Sequence, residues 1–434
     1  MKSTVLNRGF MSLIVTQFFG AANDNILKTV LIFMVIDGAW AGQLGAGGQG
    51  IVAICFTLPF ILLSGYAGQF ADRNSKRYVS VLIKIIEVPI ALVALAGFWF
   101  GNLWITLGAL VALTCQSAFF GPAKYGMIPE LVDSRDLSRA NGTINMMTNL
   151  AVIIGTLAAG KIADLYSPMS GSPVLWLPGV VMVIVAIAGL AVVVLLPRLA
   201  PGDRTLKYEL NPLATYVSAL REMARTPLLM VMLAWGYFYF LAGLALLIIP
   251  EYCVVLKAYN VSRAEASLLL GVMGVAIGVG SALAGLISGH TIRPRLVPIG
   301  AVGLTLFFAL LGSLPPTLPD LGPTWRMVAS PIAACIFGAG VSAGFYIIPL
   351  QALLQRLSPD NERGRLLGVS NGVAFTFLML SSLLYWIIRP AFNTDAGQER
   401  PEKIFLVSAV LMAVGAAFFL WRMKAREFSF AKVD

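Results

Sequence analysis

The most constraining feature of this chain is a succession of long apolar segments joined by short polar connections. Each segment has the roughly 20 residues that a helix needs to cross about 30 Å of hydrocarbon. The apolar runs are continuous, which argues against the alternating ten-residue strands of a membrane β-barrel. Twelve such segments lie near residues 9–37, 48–71, 78–100, 103–127, 140–164, 174–197, 226–250, 265–289, 296–316, 327–355, 364–388 and 403–422. The sequence therefore predicts an all-α integral membrane protein with twelve transmembrane helices.

Composition excludes the soluble alternatives. Hydrophobic residues make up 58% of the 434 residues, and charged residues only 12%, about half of the roughly 25% usual in a soluble chain. A water-soluble domain of this size needs a polar shell that so few charges do not supply. A soluble enzyme, a nucleic-acid-binding module and a disordered chain are therefore excluded.

The net charge of +10 fits a membrane protein with basic loops on one side. If both termini lie inside, most of the 31 lysines and arginines fall in or beside inner loops. Inner loops of membrane proteins carry this excess of basic residues. We therefore expect a multi-pass protein with both termini in the cytoplasm, and no nucleic-acid partner.

The longest inner connection divides the chain into two halves. We predict an N-terminal six-helix bundle at 1–198, a cytoplasmic linker at 199–225 and a C-terminal six-helix bundle at 226–434. Within the linker, residues 213–223 fit a short amphipathic helix as well as a plain connection. Equal helix counts and short matches between the halves suggest a duplication, which in transporters places the binding site near the midplane.

One loop motif follows the second predicted helix. Gly68, Asp72, Arg73, Lys76 and Arg77 lie in a stretch that resembles the G-x-x-x-D-R-x-G-R-R loop of the major facilitator superfamily, with serine replacing the second glycine. At this helix end, Asp72 can pair with the neighbouring half in only one conformation. We therefore predict a gating role for these five residues. The simpler alternative is that their charges only set the orientation.

Four charged residues lie within predicted membrane helices. A charge at the bilayer centre costs roughly 2.5–3.5 kcal/mol on insertion scales, so such residues face a cavity or a partner. Asp24 and Lys28 are four residues apart, and Lys84 and Glu87 are three apart. Either spacing allows neutralisation within one helix. The four are therefore structural ion pairs, or they line a cavity in which lysine engages a phosphate and carboxylate an amine.

Further polar and aromatic residues extend this candidate binding site. Asn23 and Asn25 flank Asp24, and Asn145 belongs to a stripe of asparagines in the fifth helix. Such a stripe either joins helices or lines a cavity. The seventh helix has no charge between its ends and offers Trp235 and Tyr239 instead. We include these five residues among the candidate substrate contacts.

Three sequence blocks carry a more specific resemblance. Residues 20–28 read G-A-A-N-D-N-I-L-K and resemble the G-A-F-N-D-N-x-x-K signature of the lysophospholipid transporter family. Residues 119–131 resemble that family's fourth-helix end, and 344–355 its tenth helix. The blocks lie in both halves, so the resemblance covers most of the chain. It adds three candidate substrate-binding residues, Lys124, Tyr125 and Gln351.

This resemblance implies a function. Members of the family are flippases of the bacterial inner membrane that move lysophosphatidylethanolamine or lysophosphatidylglycerol from the outer to the inner leaflet by alternating access. An acyltransferase/acyl-carrier-protein synthetase then restores the second chain, and here we expect it to be a separate enzyme. We expect no catalytic residue, metal or cofactor, and a monomer among membrane lipids.

The sequence also allows two other functions to be considered. The chain could be a proton-coupled small-molecule or drug efflux transporter of the same fold, with Asp24 or Glu87 carrying the proton. A membrane-embedded lipid enzyme is poorly supported, because His290 is the only histidine and no nucleophile lies near a base.

A lipid substrate adds one structural demand. Its acyl chain has to stay in hydrocarbon, because each CH₂ moved into water costs about 0.8 kcal/mol. We therefore expect a lateral opening between helices. The glycine-rich face of the eighth predicted helix, which includes Gly278 and Gly280, forms either such an opening or a close helix contact.

Overall fold

The protein is almost entirely helical in the computed structural model, which describes residues 7–132, 137–166, 173–199, 212–288, 293–358, 363–393 and 399–425. These ranges contain twelve helices of 17 to 30 residues and no β-strand beyond one isolated bridge. The first six are α1 (Arg8–Ile36), α2 (Gln49–Arg73), α3 (Lys76–Trp99), α4 (Leu103–Leu131), α5 (Leu137–Tyr166) and α6 (Leu177–Val193). The others, with three short helices, are α7 (Pro212–Met223), α8 (Leu228–Ile248), α9 (Tyr252–Val255), α10 (Arg263–Ser288), α11 (Leu296–Ser313), α12 (Pro323–Val328), α13 (Pro331–Leu357), α14 (Arg363–Ile388) and α15 (Ile404–Ala425). The predicted all-α fold is confirmed.

The long helices have the length and composition of membrane spans. Ten segments of the described chain are long and apolar enough to cross a bilayer, and two shorter apolar stretches lie at Gln49–Ser64 and Leu177–Val193. Large apolar side chains face outward: Leu286 is 78% exposed and Val302 is 70% exposed. In water such a surface would aggregate. The chain is therefore a multi-pass membrane protein.

The chain separates into two compact units, Met1–Pro212 and Leu213–Asp434. In the first unit α1 packs on α5 and α6, and α3 packs on α4 and α6. In the second, α13 packs on α10 and α11, α15 on α11, and α8 on α14. Helix α7 occupies the part of the connection that fitted an amphipathic helix, while residues 200–211 lie outside the described residues.

Side-chain caps explain where several helices begin. The Asn7 side-chain oxygen accepts a hydrogen bond from the Phe10 backbone N–H at 2.8 Å, and its amide donates to the Leu131 carbonyl at 2.8 Å. Asn7 thus starts α1 and joins it to the end of α4. Ser330 caps α13 in the same way, followed by Pro331 in the first turn. The tenth long helix therefore begins at Pro331, slightly later than the apolar pattern predicted.

The glycine-rich face of α10 is mainly a packing surface. A Cβ atom added to Gly280 would lie 2.6 Å from the Cα of Val341, so only glycine allows this approach of α10 to α13. Gly344 of α13 faces Gly280 from the other side. A Cβ atom added to Gly278, in contrast, would meet no atom within 4 Å. The close-contact interpretation is confirmed for Gly280.

Candidate functional site

The described part of the first unit contains a polar cluster within its membrane-spanning helices. We call it the N-unit polar cluster. It consists of Asn23 and Asp24 of α1, Lys84 and Glu87 of α3, and Gln116 and Ser117 of α4. The sequence predicted four of these residues. Gln116 and Ser117 were missed because nothing in the sequence shows which residues of α4 face α1 and α3.

Glu87 is the most completely bonded member of the cluster. Its carboxylate accepts from Lys84 Nζ at 2.5 Å, from Asn23 Nδ2 at 2.9 Å and from Gln116 Nε2 at 3.2 Å. The side chains of Lys84 and Glu87 are each only 1% exposed. Gly20 provides room for the lysine, because a Cβ there would lie 2.9 Å from Nζ. The predicted pairing within α3 is confirmed, and it neutralises both charges in the interior.

Asp24 is bonded quite differently. The Ser117 hydroxyl lies 2.8 Å and 3.0 Å from its two carboxylate oxygens, and 3.0 Å from the Gln116 side-chain oxygen. A hydroxyl has a single proton, so it serves one of these acceptors at a time. Asp24 is only half-buried. Its carboxylate therefore retains lone pairs that no donor of the described residues uses.

Lys28 does not neutralise Asp24 directly, although its spacing allowed this. Its ammonium donates to the Asn25 side-chain oxygen at 2.8 Å and lies 4.7 Å from the centre of the Phe56 ring. Asn25 in turn donates to the Ala21 carbonyl at 2.7 Å. Asp24 and Lys28 thus form a carboxylate and an ammonium, one helical turn apart, each held by neutral partners.

Lys124 lies farther along α4, on nearly the same face as Ser117. Seven residues of helix correspond to about 10 Å of rise and almost two full turns. Lys124 is 7% exposed, and its Nζ lies 4.5 Å from the centre of the exposed Tyr125 ring. That ring is its only polar or electrostatic partner in the described chain. A buried ammonium held this weakly is able to accept an anionic ligand.

The remaining predicted contacts are spread over α5, α8 and α13. Trp235 is buried against Tyr239, with ring centres 5.0 Å apart, and its indole N–H has no acceptor among the described residues. Gln351 is exposed on α13. The Asn145 side chain lies outside the described residues. The structure therefore gathers Asn23, Asp24, Lys84 and Glu87 into one cluster and leaves the other predicted contacts outside it.

The loop motif between α2 and α3 joins the ends of three helices of the first unit. Lys76 forms a 2.6 Å ion pair with Glu130 of α4. Arg77 donates to the Leu196 carbonyl at 2.8 Å, beyond the end of α6. The Asp72 side chain lies outside the described residues, and Gly68 has open space around it. These contacts give two basic residues of the motif a structural role, while its gating role stays a prediction.

A second buried ionic cluster was missed by the sequence analysis. Arg389, at the end of α14, pairs with Glu251 at 2.6 Å and with Glu399 at 2.5 Å. Tyr385 donates its hydroxyl proton to Glu251, and Arg389 also donates to Asn393. Glu251 and Arg389 are 138 residues apart, so no local pattern links them. Their only signal is that each adjoins a proline at the end of an apolar run.

The described residues offer no group of three or more histidine, cysteine, aspartate or glutamate side chains that could hold a metal ion. The N-unit polar cluster contains no thiol or imidazole. Its chemistry is that of ion pairing and hydrogen bonding, which suits recognition of a charged polar group.

The family model described as Major Facilitator Superfamily matches residues 13–381 and, in a second match, 254–431. The chain belongs to the Major Facilitator Superfamily. It is therefore a membrane transporter, as the loop motif predicted, and not an enzyme.

Similar proteins support the more specific resemblance. The chain is 29% identical over 384 residues to the lysophospholipid transporter LplT of Photorhabdus laumondii, covering 85% of this chain and 84% of that protein. It is 27% identical over 385 residues to the protein of the same name from Yersinia enterocolitica, with 85% and 83% covered. The resemblance to lysophospholipid transporters is confirmed as a sequence similarity over most of the chain.

A solved structure shows the same fold in a more distant protein. The crystal structure of the nucleoside transporter NupG matches with a TM-score of 0.69, covering 95% of this chain and 99% of that chain. The sequence identity is only 14%, so this likeness concerns the fold alone.

Proposed function

We propose that this transporter moves lysophospholipids across the inner membrane of a bacterium by alternating access, from the outer to the inner leaflet. The substrates are lysophosphatidylethanolamine and lysophosphatidylglycerol, and a separate acyltransferase/acyl-carrier-protein synthetase restores the second acyl chain. The protein acts as a monomer with both termini in the cytoplasm. The names of its relatives and the excess of basic residues in the inner loops support this proposal.

The observation that carries the proposal is the incomplete bonding of Asp24. Asp24 is half-buried as a residue, and its carboxylate has one shared hydroxyl as its only hydrogen-bond donor in the described chain. A carboxylate within a membrane helix is costly unless a partner compensates it. The ammonium group of an ethanolamine head group would provide that partner with a charge-assisted hydrogen bond.

The phosphate of the same head group has cationic partners nearby. Lys28 lies one turn beyond Asp24 on α1, and its present partner is a neutral amide. Lys124 lies on the face of α4 that also carries Ser117, and its present partner is an aromatic ring. Neither lysine has to break an ion pair to bind phosphate. Both lysophosphatidylethanolamine and lysophosphatidylglycerol carry this phosphate, so the two lysines suit both substrates.

Lys84 and Glu87 have a different role in this proposal. Their ion pair is complete and inaccessible, so they hold α3 in place and help to position Asn23 and Gln116. The substrate therefore meets Asp24 and Lys28, while the α3 pair supports them from behind.

The experiment is a leaflet-resolved transport assay with the purified protein in liposomes. Labelled lysophosphatidylethanolamine and lysophosphatidylglycerol are added outside, and the lipid that remains after extraction with albumin measures transfer to the inner leaflet. For Asp24→Asn we expect a loss of about 10- to 100-fold with lysophosphatidylethanolamine, since a hydrogen bond to a charged group contributes about 1.5–3 kcal/mol. The loss should be smaller with lysophosphatidylglycerol, which has no amine.

Lys28→Gln and Asp320→Asn complete the design. Lys28→Gln should slow both substrates, because it removes a phosphate partner. Asp320→Asn removes an exposed carboxylate from a loop of the second unit and should leave transport unchanged. Near-normal transfer of both lipids by Asp24→Asn would contradict the assigned site. Proton-driven movement of a drug without any lysolipid transfer would instead favour the efflux alternative.

A further inference from the structure

A basic groove lies at one end of the first unit, outside the N-unit polar cluster. It has a volume of about 330 Å³ and is lined by the start of α3 and the segment that follows α6. Arg77, Tyr78, Val194 and Arg198 are among its lining residues. Of these, only Arg77 belongs to the loop motif, and the proposed transport mechanism uses none of the others.

Arg77 is held against the wall of this groove by the backbone. Its Nε donates to the Leu196 carbonyl at 2.8 Å, and its Nη2 donates to the Val194 carbonyl at 3.2 Å. These two bonds fix the guanidinium plane without neutralising its charge. The Nη1 group has no hydrogen-bond partner in the described part of the chain, so it is available to an anion in the groove.

Arg198 supplies a second positive charge. Its side chain is exposed and makes no ion pair or hydrogen bond within the described residues. No aspartate or glutamate lines the groove. Two guanidinium groups without a carboxylate between them create a positive potential that suits a phosphate, which arginine binds in a forked geometry.

The rim of the groove is apolar and faces outward. Tyr78 is 55% exposed and Val194 is 47% exposed, and both side chains line the groove. Tyrosine at a helix end is typical of the boundary between head groups and hydrocarbon. A water-soluble anion would gain nothing from this rim, whereas a phospholipid would place its acyl chains along it.

We propose that this groove binds the head-group phosphate of an anionic membrane phospholipid, with its acyl chains lying against Tyr78 and Val194. Basic pockets at the ends of transmembrane helices bind anionic lipid head groups in this manner. The bound lipid would occupy the joint between α3 and α6. This site is separate from the transport site at Asp24, so its occupancy does not depend on the proposed function.

The test uses native mass spectrometry of the full-length protein in detergent with phosphatidylglycerol as the probe. The variants are Arg198→Gln and Arg198→Glu, because Arg198 has no structural partner whose loss would disturb folding. Each is compared with Lys161→Gln, which removes an exposed positive charge from α5 of the same unit. Size-exclusion profiles establish that each variant is folded.

We expect Arg198→Gln to weaken phosphatidylglycerol binding about fivefold, because one basic residue near an anionic lipid contributes about 1 kcal/mol. Arg198→Glu should weaken it further, and Lys161→Gln should leave it unchanged. Equal loss in Lys161→Gln and Arg198→Gln, or no loss in either arginine variant, would overturn the proposal. Two competitors decide the ligand class: phosphatidylethanolamine and glycerol 3-phosphate should both fail to displace the probe. Displacement by glycerol 3-phosphate would show a soluble-phosphate site and refute the lipid.

Discussion

The buried pair of Lys84 and Glu87 allows the sharpest test of how this interior is held together. Lys84→Met would leave the Glu87 carboxylate with two neutral amide donors, Asn23 and Gln116, in a site where only 1% of the side chain is exposed. Removing one partner of a buried ion pair costs about 3–5 kcal/mol, because the other charge stays buried without compensation. Glu87→Gln leaves the opposite charge and should be destabilising to a similar extent.

The double variant distinguishes the effect of losing the whole ion pair from the effect of leaving one charge buried alone. Lys84→Met with Glu87→Gln buries no charge, and the new amide oxygen still accepts from Asn23. Replacing both members of a buried pair is often neutral, so we expect a loss of at most about 1 kcal/mol. The coupling energy of the double-mutant cycle should then be about 5 kcal/mol or more.

Thermal unfolding in detergent measures these differences. For a unit of about 200 residues, 1 kcal/mol corresponds to roughly 2–4 °C, so each single variant should lower Tm by about 6–20 °C. The double variant should unfold within a few degrees of the unmodified protein and should still transport lysolipid. A double variant as unstable as either single one would refute the ion-pair argument. A stable double variant without transport would show that transport itself needs the charges of the pair.

Two further predictions concern Lys124, which has no carboxylate partner in the described chain, and Arg326, which forms an ion pair with Glu265. Lys124→Met should leave Tm unchanged or slightly higher, since it removes a buried charge that has only the Tyr125 ring as partner, and it should slow transport of both lysolipids in the leaflet assay. Arg326 donates to both oxygens of Glu265, at 2.8 and 3.1 Å, and this bonding raises the pKa of Arg326. Because folding raises this pKa, the interaction stabilises the folded protein at every pH below the ordinary arginine pKa. It is lost only when the pH rises through the raised pKa. Arg326→Met should therefore lower Tm equally at pH 6 and pH 9, and a loss confined to one pH would contradict this assignment.

Much of the helical plan could be predicted because it depends on local properties of the sequence. Apolar runs of about 20 residues can be satisfied only by helices in a bilayer, so twelve segments predicted twelve long helices. The start of the tenth was placed too early, because the apolar pattern continues through α12. Ser330 caps the start of α13 and Pro331 follows it, and these two residues separate α13 from α12. At such a boundary the capping residues, and not the hydropathy, determine where the helix begins.

The candidate site was only partly predictable. The spacing of Lys84 and Glu87 identified a pair within one helix, and the structure confirms it. The same spacing argument allowed Asp24 and Lys28 to neutralise each other, but the structure shows no direct ion pair between them and places a neutral partner beside each. The pairing of Glu251 with Arg389 depends on the packing of α8 against α14, and a single sequence does not contain that information.

The contrast between the two membrane charge pairs follows from two adjacent residues of α4. Successive helix residues point about 100° apart, so Gln116 reaches Glu87 on α3 while Ser117 reaches Asp24 on α1. The Ser117 hydroxyl also lies within bonding distance of the Gln116 oxygen. If an amine binds Asp24 as proposed, Ser117 can donate to the Gln116 oxygen instead, so the hydroxyl proton keeps an acceptor. In the proposed function, the α4 residues would thus allow Asp24 to exchange its internal partner for a substrate at little cost, while the α3 pair remains unchanged.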